Sequence, residues 1–346
     1  METQFPDTET IQTALTLAAR APSMYNTQPW RWRVGARRLH LYADPSRQLH
    51  SADPEGRDLI LSCGATLHHA VVALAALGWR AKVHHFPDPT DADHLASIEV
   101  STGDVDQVDV MLAAAIPRRR TDRRRYGPWP VPTADTALMA ARAARCGVML
   151  RQIDDLATLH AIVTQAIWEH ATNYDYVNEA TMWSGRYGSL AGVPARNTPA
   201  CDCTATIPSR LFAGPTLAQP PETSPADDHA VMLALGTVTD DRLAWLRAGE
   251  AASVVLLTAT ALGLASCPIT EPLEITQTRD AVRSDVFGAS GYPQMLLRVG
   301  WAPINADPLP ATPRRALHDV VHWEREGKSL GVVGGVDGPQ QCSVGP

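Results

Sequence analysis

The chain has 346 residues, 45% hydrophobic and 19% charged, a balance that belongs to a packed globular protein and excludes general disorder. That length exceeds one typical domain and allows two compact units or one large one. A formal net charge of −7 excludes nucleic acid or an anionic membrane as the main partner.

In chain order, Ile11, Ala14, Leu15 and Ala18 share one face of a helix predicted over Ile11–Arg20, with Asp7 or Thr8 as its cap. Pro22 stops it, and Ala21–Trp30 reads as a shaped loop. Trp30–Val34 and Leu39–Tyr42 read as strands joined at Gly35. A loop around Asp53–Gly56 leads into a long apolar helix, Arg57–Leu77, closed by Gly78. Lys82–Phe86 and Ile98–Val100 are short strands.

Helical signal returns over Val110–Ile116, followed by the arginine run Arg118–Arg125 and a Pro-rich turn through Pro132. Thr133–Arg145 and Leu156–Asn173 are predicted helices around a strand at Val148–Ile153. Trp183–Asp228 is rich in Pro, Gly, Thr and Ser with little periodicity, the signature of a disordered segment or a lid. A second long apolar helix, Leu243–Leu262, is closed by Gly263; Gln294–Val299 is a strand, and Glu326–Pro346 a loose tail. The uncharged run Ala251–Ile269 is as long as a membrane span, but its Ser, Thr, Ala and Gly content and Pro268 favour a buried helix.

The two long helices echo each other. Gly64 and Gly78 are matched by Gly249 and Gly263, Leu61 by Leu246, and both end in Ala-Leu-Gly, always 185 positions apart. The pattern suggests an internal duplication.

Two segments could carry chemistry. Ser23, Asn26 and Gln28 offer mixed donors and acceptors between two prolines, which suits a planar heterocycle or, equally, a polar connection anchored by Trp30. Six arginines against Asp122 in Arg118–Arg125 suit a phosphate monoester or a solvated charged face. Pro313-Arg314-Arg315 adds a second basic site, and Lys82 and Lys328 are the only lysines, so arginine abundance itself carries no signal. His68-His69 on an apolar helix read as core groups, and Cys201-Asp-Cys203 as thiols without a metal partner pair. Six scattered cysteines and an N-terminus without a leader pattern predict a cytoplasmic protein.

Pro22-Ser23-x-x-Asn26-x-Gln28-Pro-Trp30 resembles the loop signature of the FMN-dependent nitroreductase family. Arg119-x-Thr121-x-Arg123 is similar to its Arg-x-Ser-x-Arg element, with Thr for Ser. Gly263-Leu-Ala-Ser-Cys-Pro268-Ile269-Thr270 resembles its Gly-Leu-x-x-x-Pro-Ile-Glu segment, and Pro313-Arg314-Arg315 its C-terminal basic element. The arrangement, over most of residues 10–320, resembles the Acg-like mycobacterial subgroup of NAD(P)H nitroreductases associated with dormancy.

The resemblance implies an α+β, nitroreductase-like fold. Family members are usually homodimers with FMN at the subunit interface. Here the site elements are divided between residues 1–110 and 111–320, which implies two tandem halves packed as an intramolecular pseudo-dimer, one FMN per chain, a lid-like insertion at 183–228 and a tail at 321–346. Arg119, Arg123 and Arg314 or Arg315, with Thr121, would meet the FMN phosphate. Pro22, Ser23, Asn26 and Gln28 would face the ring edge or ribityl chain, and Pro268, Ile269 and Thr270 would pack on the ring. No general acid or base is implied. Hydride would pass from NAD(P)H through FMN to a nitroaromatic, quinone or similar small acceptor, with no nucleic-acid or membrane partner and further pairing into homodimers left open. Thr270 stands where many members carry Glu, and a lid that blocks NAD(P)H would make the protein a flavin store instead.

Overall fold

The computed structural model describes residues 5–324 apart from 187, 203, 220–227 and 304; most of the expected tail lies outside the described residues. The chain opens with α1 (Thr8–Ala18), which starts one turn earlier than its apolar face suggests because Asp7 Oδ1 accepts from the Thr10 N–H at 2.8 Å. β1 (Trp30–Val34) and β2 (Arg38–Ala43) form a hairpin, with Trp30, Trp32 and Val34 turned into the core and Arg31 and Arg33 outward. After α2 (Arg57–Ala76) come β3 (Trp79–His85), β4 (His94–Thr102) and α3 (Gln107–Ala115).

A second unit follows with α4 (Thr133–Arg145), β5 (Met149–Ile153), α5 (Leu156–Thr172) and α6 (Tyr174–Trp183). A long excursion carries the short parallel pair β6 (Ser184–Arg186) and β7 (Val193–Pro194). Then come β8 (Val231–Thr237), α7 (Arg242–Ala261), β9 (Ala265–Ile269), α8 (Thr276–Val282), β10 (Tyr292–Gly300), α9 (Leu317–Val320) and β11 (Val321–Trp323).

The strands make two principal sheets. One has the order β11-β1-β2-β4-β3, the other β5-β8-β10-β9. Apart from β11, which runs parallel to β1, every pairing in these two sheets is antiparallel, and both follow the same order: first strand, second, fourth, third. β11 begins the segment expected as a tail and closes the outer edge of β1. Three elements escape the periodicity reading. β8 is a short apolar run buried on both faces, β9 is an edge strand able to hold Pro268, and α6 adjoins α5 across Asn173, whose side chain caps it. The apolar run Ala251–Ile269 therefore divides at Gly263 between α7 and β9.

Between the sheets lie α2 and α7, whose ends are each 185 positions apart. They cross where neither residue has a side chain. A Cβ on Gly64 would stand 2.1 Å from the Leu246 carbonyl oxygen, and one on Gly249 would stand 2.0 Å from that of Leu61. The contact is reciprocal, each glycine meeting the other helix's leucine. One turn on, Ser253 Oγ bonds to Nδ1 of both His68 and His69, at 2.7 and 2.8 Å, which accounts for two imidazoles in an apolar helix. By length and composition α2 could cross a membrane, but 78% of its most apolar stretch is buried in this core.

Candidate functional site

The loop after α1 is held in an unusual shape. Tyr25, Asn26 and Gln28 all have positive φ (45°, 55° and 54°), a conformation that costs about 1–3 kcal/mol at each non-glycine residue unless neighbours enforce it. Neighbours do. Ser23 Oγ accepts from the Gln28 N–H at 3.0 Å, and Ser62 Oγ from the Met24 N–H at 3.2 Å. Asn26 Nδ2 donates to the carbonyls of Gly192 (3.1 Å) and Pro313 (3.2 Å). Gln28 Nε2 donates to Leu190 O at 2.8 Å, while its Oε1 accepts from the Arg315 N–H at 2.8 Å. Asn26 and Gln28 thus knit together the loop, the excursion and the C-terminal basic element.

Above this loop opens a cleft of about 1090 Å³, measured out to where it meets solvent. The loop contributes Pro22, Ser23 and Tyr25, and α2 contributes Asp58, Leu61, Ser62 and Ala65. Thr121, Arg123 and the β9 run Pro268, Ile269 and Thr270 face it from the second unit. The excursion supplies a further wall, Ile207–Arg210 with Phe212 and Val193.

That wall is tied down by charge. Arg210 donates to Glu274 Oε1, which also accepts from Thr270 Oγ1 at 2.7 Å, and its guanidinium lies 4.9 Å from the Tyr25 ring centre. Arg123 sits 4.8 Å from the Phe212 ring centre and donates to Asn197 O at 3.2 Å. Tyr25 OH and Tyr176 OH are 3.3 Å apart, Tyr176 stacks on His170 at 3.8 Å, and His170 Nδ1 lies 3.3 Å from Glu271 Oε1.

A narrower cavity of about 260 Å³ is lined by Arg20, Arg119, Arg120, Arg314, Thr312 and Ile116. It holds four guanidinium groups and no carboxylate. Burial, then the charges of Arg120, Arg20 and Arg123, push Arg119 down to about 10; burial, then Arg119, Arg20 and Arg120, push Arg314 down to about 9. The Nε atoms of Arg20, Arg119 and Arg314 are buried without a hydrogen-bond partner among the described residues. Buried donors and uncompensated positive charge both call for an anion with several oxygens. Arg119 of this cavity and Thr121 of the cleft touch, Nη1 to Oγ1 at 3.4 Å.

The structure therefore sorts the expected residues into three places. Pro22, Ser23, Thr121, Arg123, Pro268, Ile269 and Thr270 line the cleft; Arg119 and Arg314 line the arginine cavity; Asn26 and Gln28 brace the loop. Arg315 meets Gln28 through its backbone. The arginine run divides as well. Arg124 is paired with Asp122 at 2.8 Å and Arg125 with Asp202 at 2.6 Å, which leaves Arg119 and Arg120 for the cavity. Sequence reasoning missed Arg20, Asp58 and Arg210. Arg20 had a signal, since it stands two residues before Pro22, whereas Arg210 is a lone arginine in an aperiodic segment.

Comparison with known proteins bears on this geometry. The model of the nitroreductase family matches residues 155–301. A Mycobacterium tuberculosis protein provisionally named NAD(P)H nitroreductase is 69% identical over 326 residues, covering 94% of this chain and 95% of its own length. Acg of the same organism, with the same provisional description, is 37% identical over 326 residues, covering 91% and 96%. Among solved structures, an FMN-dependent nitroreductase of Mycobacterium smegmatis in complex with NADPH aligns with 63% of this chain and 100% of its own, at 18% identity and a TM-score of 0.39. A Bacteroides fragilis nitroreductase with bound FMN aligns with 65% and 98%, at 14% identity and 0.38.

Proposed function

This chain belongs to the nitroreductase family, and on that premise we propose that it is an FMN-dependent oxidoreductase using NAD(P)H to reduce a nitroaromatic, a quinone or a similar small acceptor. One observation carries the reading: a cavity lined by four arginines and no acid lies beside a large cleft with apolar walls, the two linked by the Arg119–Thr121 contact. Such a pair of spaces suits a ligand with a doubly charged phosphate at one end and a flat ring at the other. FMN, when bound, supplies hydride transfer between the nicotinamide and the acceptor.

The chain's own residues bind and orient. Arg119, Arg314, Arg20 and Arg120 neutralise the phosphate, and the first three gain a partner for an orphaned Nε–H. Thr121 adds a hydroxyl at the junction. Pro22, Ser23, Pro268 and Ile269 shape the cleft, and Arg123 supplies a cation within it. Thr270 is engaged with Glu274, so the position where many members carry Glu is here part of the tie to Arg210.

We also propose that residues 1–110 and 111–320 are two halves packed as a pseudo-dimer with one FMN between them. Three observations support this: the common strand order, the 185-residue spacing of α2 and α7, and their reciprocal glycine contact. A nicotinamide-dependent reaction supports a cytoplasmic location for the protein. A flavin-storage role is favoured by one feature alone, the wall Ile207–Phe212 clamped by the Arg210–Glu274 pair.

An absorption spectrum of the purified protein, repeated anaerobically with NADPH and NADH, separates the two. Rapid bleaching of a yellow protein is the expected result. A yellow protein that stays yellow until Arg210→Ala loosens the wall would establish storage. Failure to bind added FMN at all would overturn both.

A further inference from the structure

Asp58, in the first turn of α2, belongs to two cavities at once. On one side it lines the cleft; on the other it lines a separate polar cavity of about 880 Å³ together with Asp53, Arg57, Asp240, Glu274 and Arg279. Asp58 is 3% exposed, so it forms part of the partition between them. Its Oδ2 accepts from Arg57 Nη2 at 2.9 Å, while its Oδ1 has no hydrogen-bond partner among the described residues. Arg57 Nη1 and Glu274 Oε2, from residues lining the same polar cavity, are likewise buried and unpartnered. A space of this size lined by Asp53, Arg57, Asp58, Asp240, Glu274 and Arg279 is one that water can occupy.

We infer that Asp58 is the proton donor to the acceptor in the cleft, resupplied with protons through the polar cavity behind it. The inference rests on the oxidoreductase reading above. A quinone becomes a hydroquinone by gaining a hydride and a proton. The hydride originates in NAD(P)H; the proton leaves Asp58 Oδ1, so one carboxyl O–H bond breaks as one product O–H bond forms. Arg57 balances the carboxylate left behind, and a solvent proton entering from the second cavity restores the acid. NAD(P)H oxidation itself yields hydride and draws no proton from the protein, so Asp58 serves only the second half of the cycle.

Burial favours a neutral carboxyl at Asp58. Burial raises its pKa most, Glu274 adds to this, and Arg57 and Arg210 oppose it without reversing it. Asp53, whose carboxylate accepts the N–H groups of Asp58 (3.1 Å) and Leu59 (2.8 Å), is pushed up to about 7 by burial and by Asp58. A carboxyl whose burial favours the protonated form suits proton delivery.

The test uses the full-length, FMN-loaded protein and its Asp58→Asn variant, with the two half-reactions followed separately by stopped flow and benzoquinone as acceptor. Reoxidation by benzoquinone should slow by about 10²-fold or more, and by far more than bleaching by NADPH. The parent's reoxidation should also fall as pH rises, a dependence the variant loses and Asp58→Glu restores. Unchanged reoxidation with an unchanged pH profile overturns the inference while leaving the oxidoreductase reading intact. A flavin-loaded parent that NADPH does not bleach defeats that reading, and the inference with it. A second readout needs no turnover: the infrared band of a buried, protonated carboxyl at pH 6 in flavin-free protein should be lost in Asp58→Asn, and identical spectra would show that Asp58 carries no proton to give.

Discussion

The two sheet-and-helix units share a strand order and differ in what joins their first two strands. β1 and β2 are linked through Gly35, whereas β5 and β8 are separated by residues 154–230, the excursion that walls the cleft. They differ again beside the central helices. Ala65 of α2 and Thr270 after β9 both face the cleft, and their counterparts 185 positions away are Glu250 and His85. Those two are bonded to each other, Nε2 to Oε2, at 2.9 Å. Small side chains leave room on one side of the helix pair, and long bonded ones span it on the other. Two units of like strand order thus carry different side chains at positions 185 apart, and the cleft opens where those side chains are small.

The largest effect tests the scaffold common to both units. Gly64→Ala puts a methyl group 2.1 Å from a backbone carbonyl, and backbone cannot rotate away as a side chain can. The helices must separate, at a cost of about 3 kcal/mol or more. Gly249→Ala should behave alike, because the contact is reciprocal. Denaturant midpoints for both variants check this, and a loss below 1 kcal/mol for either would show that the crossing is looser than its geometry.

The next effect separates the units by pH. Asp53 and Asp58 belong to the first unit, and both hold their protons more tightly when folded than when unfolded. Folding therefore takes up protons between the unfolded carboxyl value near 4 and the Asp53 value of about 7. The stability this pair contributes is complete below about pH 4 and is lost as pH rises through about 7, a change on the order of 2–4 kcal/mol. Asp53→Asn should flatten that part of the stability-against-pH curve, as measured by urea unfolding from pH 4 to 8. A slope left unchanged would place the proton uptake elsewhere.

The arginine cavity, built from both units, should show opposite signs with and without ligand at Arg119. Arg119→Gln or Arg314→Gln removes a charge-assisted contact to the FMN phosphate and should weaken binding by about 1.5–3 kcal/mol. Arg119→Gln also removes a cation that burial, then neighbouring arginines, push towards neutrality, so that flavin-free variant should keep or raise its melting temperature, whereas Arg314 donates to the carbonyls of Arg20, Ala21, Thr312 and Pro313 and its loss should lower it. Calorimetric titration and thermal melts of each variant give both numbers. A variant that loses flavin affinity only in proportion to lost stability would make the arginines scaffold.

How much of this was readable beforehand depends on the range of the interaction. α2, α4 and the β1–β2 hairpin follow from local periodicity and turn residues, and the sequence already carries the 185-residue echo. β8 and β9 were obscured because a strand buried on both faces, or one lying on an edge with a proline, lacks alternation. In the site, Arg119 and Thr121 stood out as a spaced motif. The support given by Asn26 and Gln28 was hidden, because their partners at Leu190, Gly192, Pro313 and Arg315 lie more than 160 residues away. Arg210 was hidden for the same reason, its partner Glu274 being 64 residues distant.

The smallest expected effect bears most directly on the comparison. Combining His85→Thr with Glu250→Ala reproduces, on the second side of the helix pair, the residues that border the cleft on the first. The stability cost should be about 1 kcal/mol, since the lost pair is single and partly exposed. Flavin stoichiometry should remain one per chain, because the change opens space without supplying a phosphate site. Arg20, Arg119, Arg120 and Arg314 are gathered beside the existing cleft, and an apolar ring alone forfeits the charge-assisted contacts that hold the other end. Equilibrium dialysis with FMN decides the point. A ratio near two would mean that shape alone limits binding and that the arginines add little; a ratio of one would show that room without the arginines does not hold the flavin.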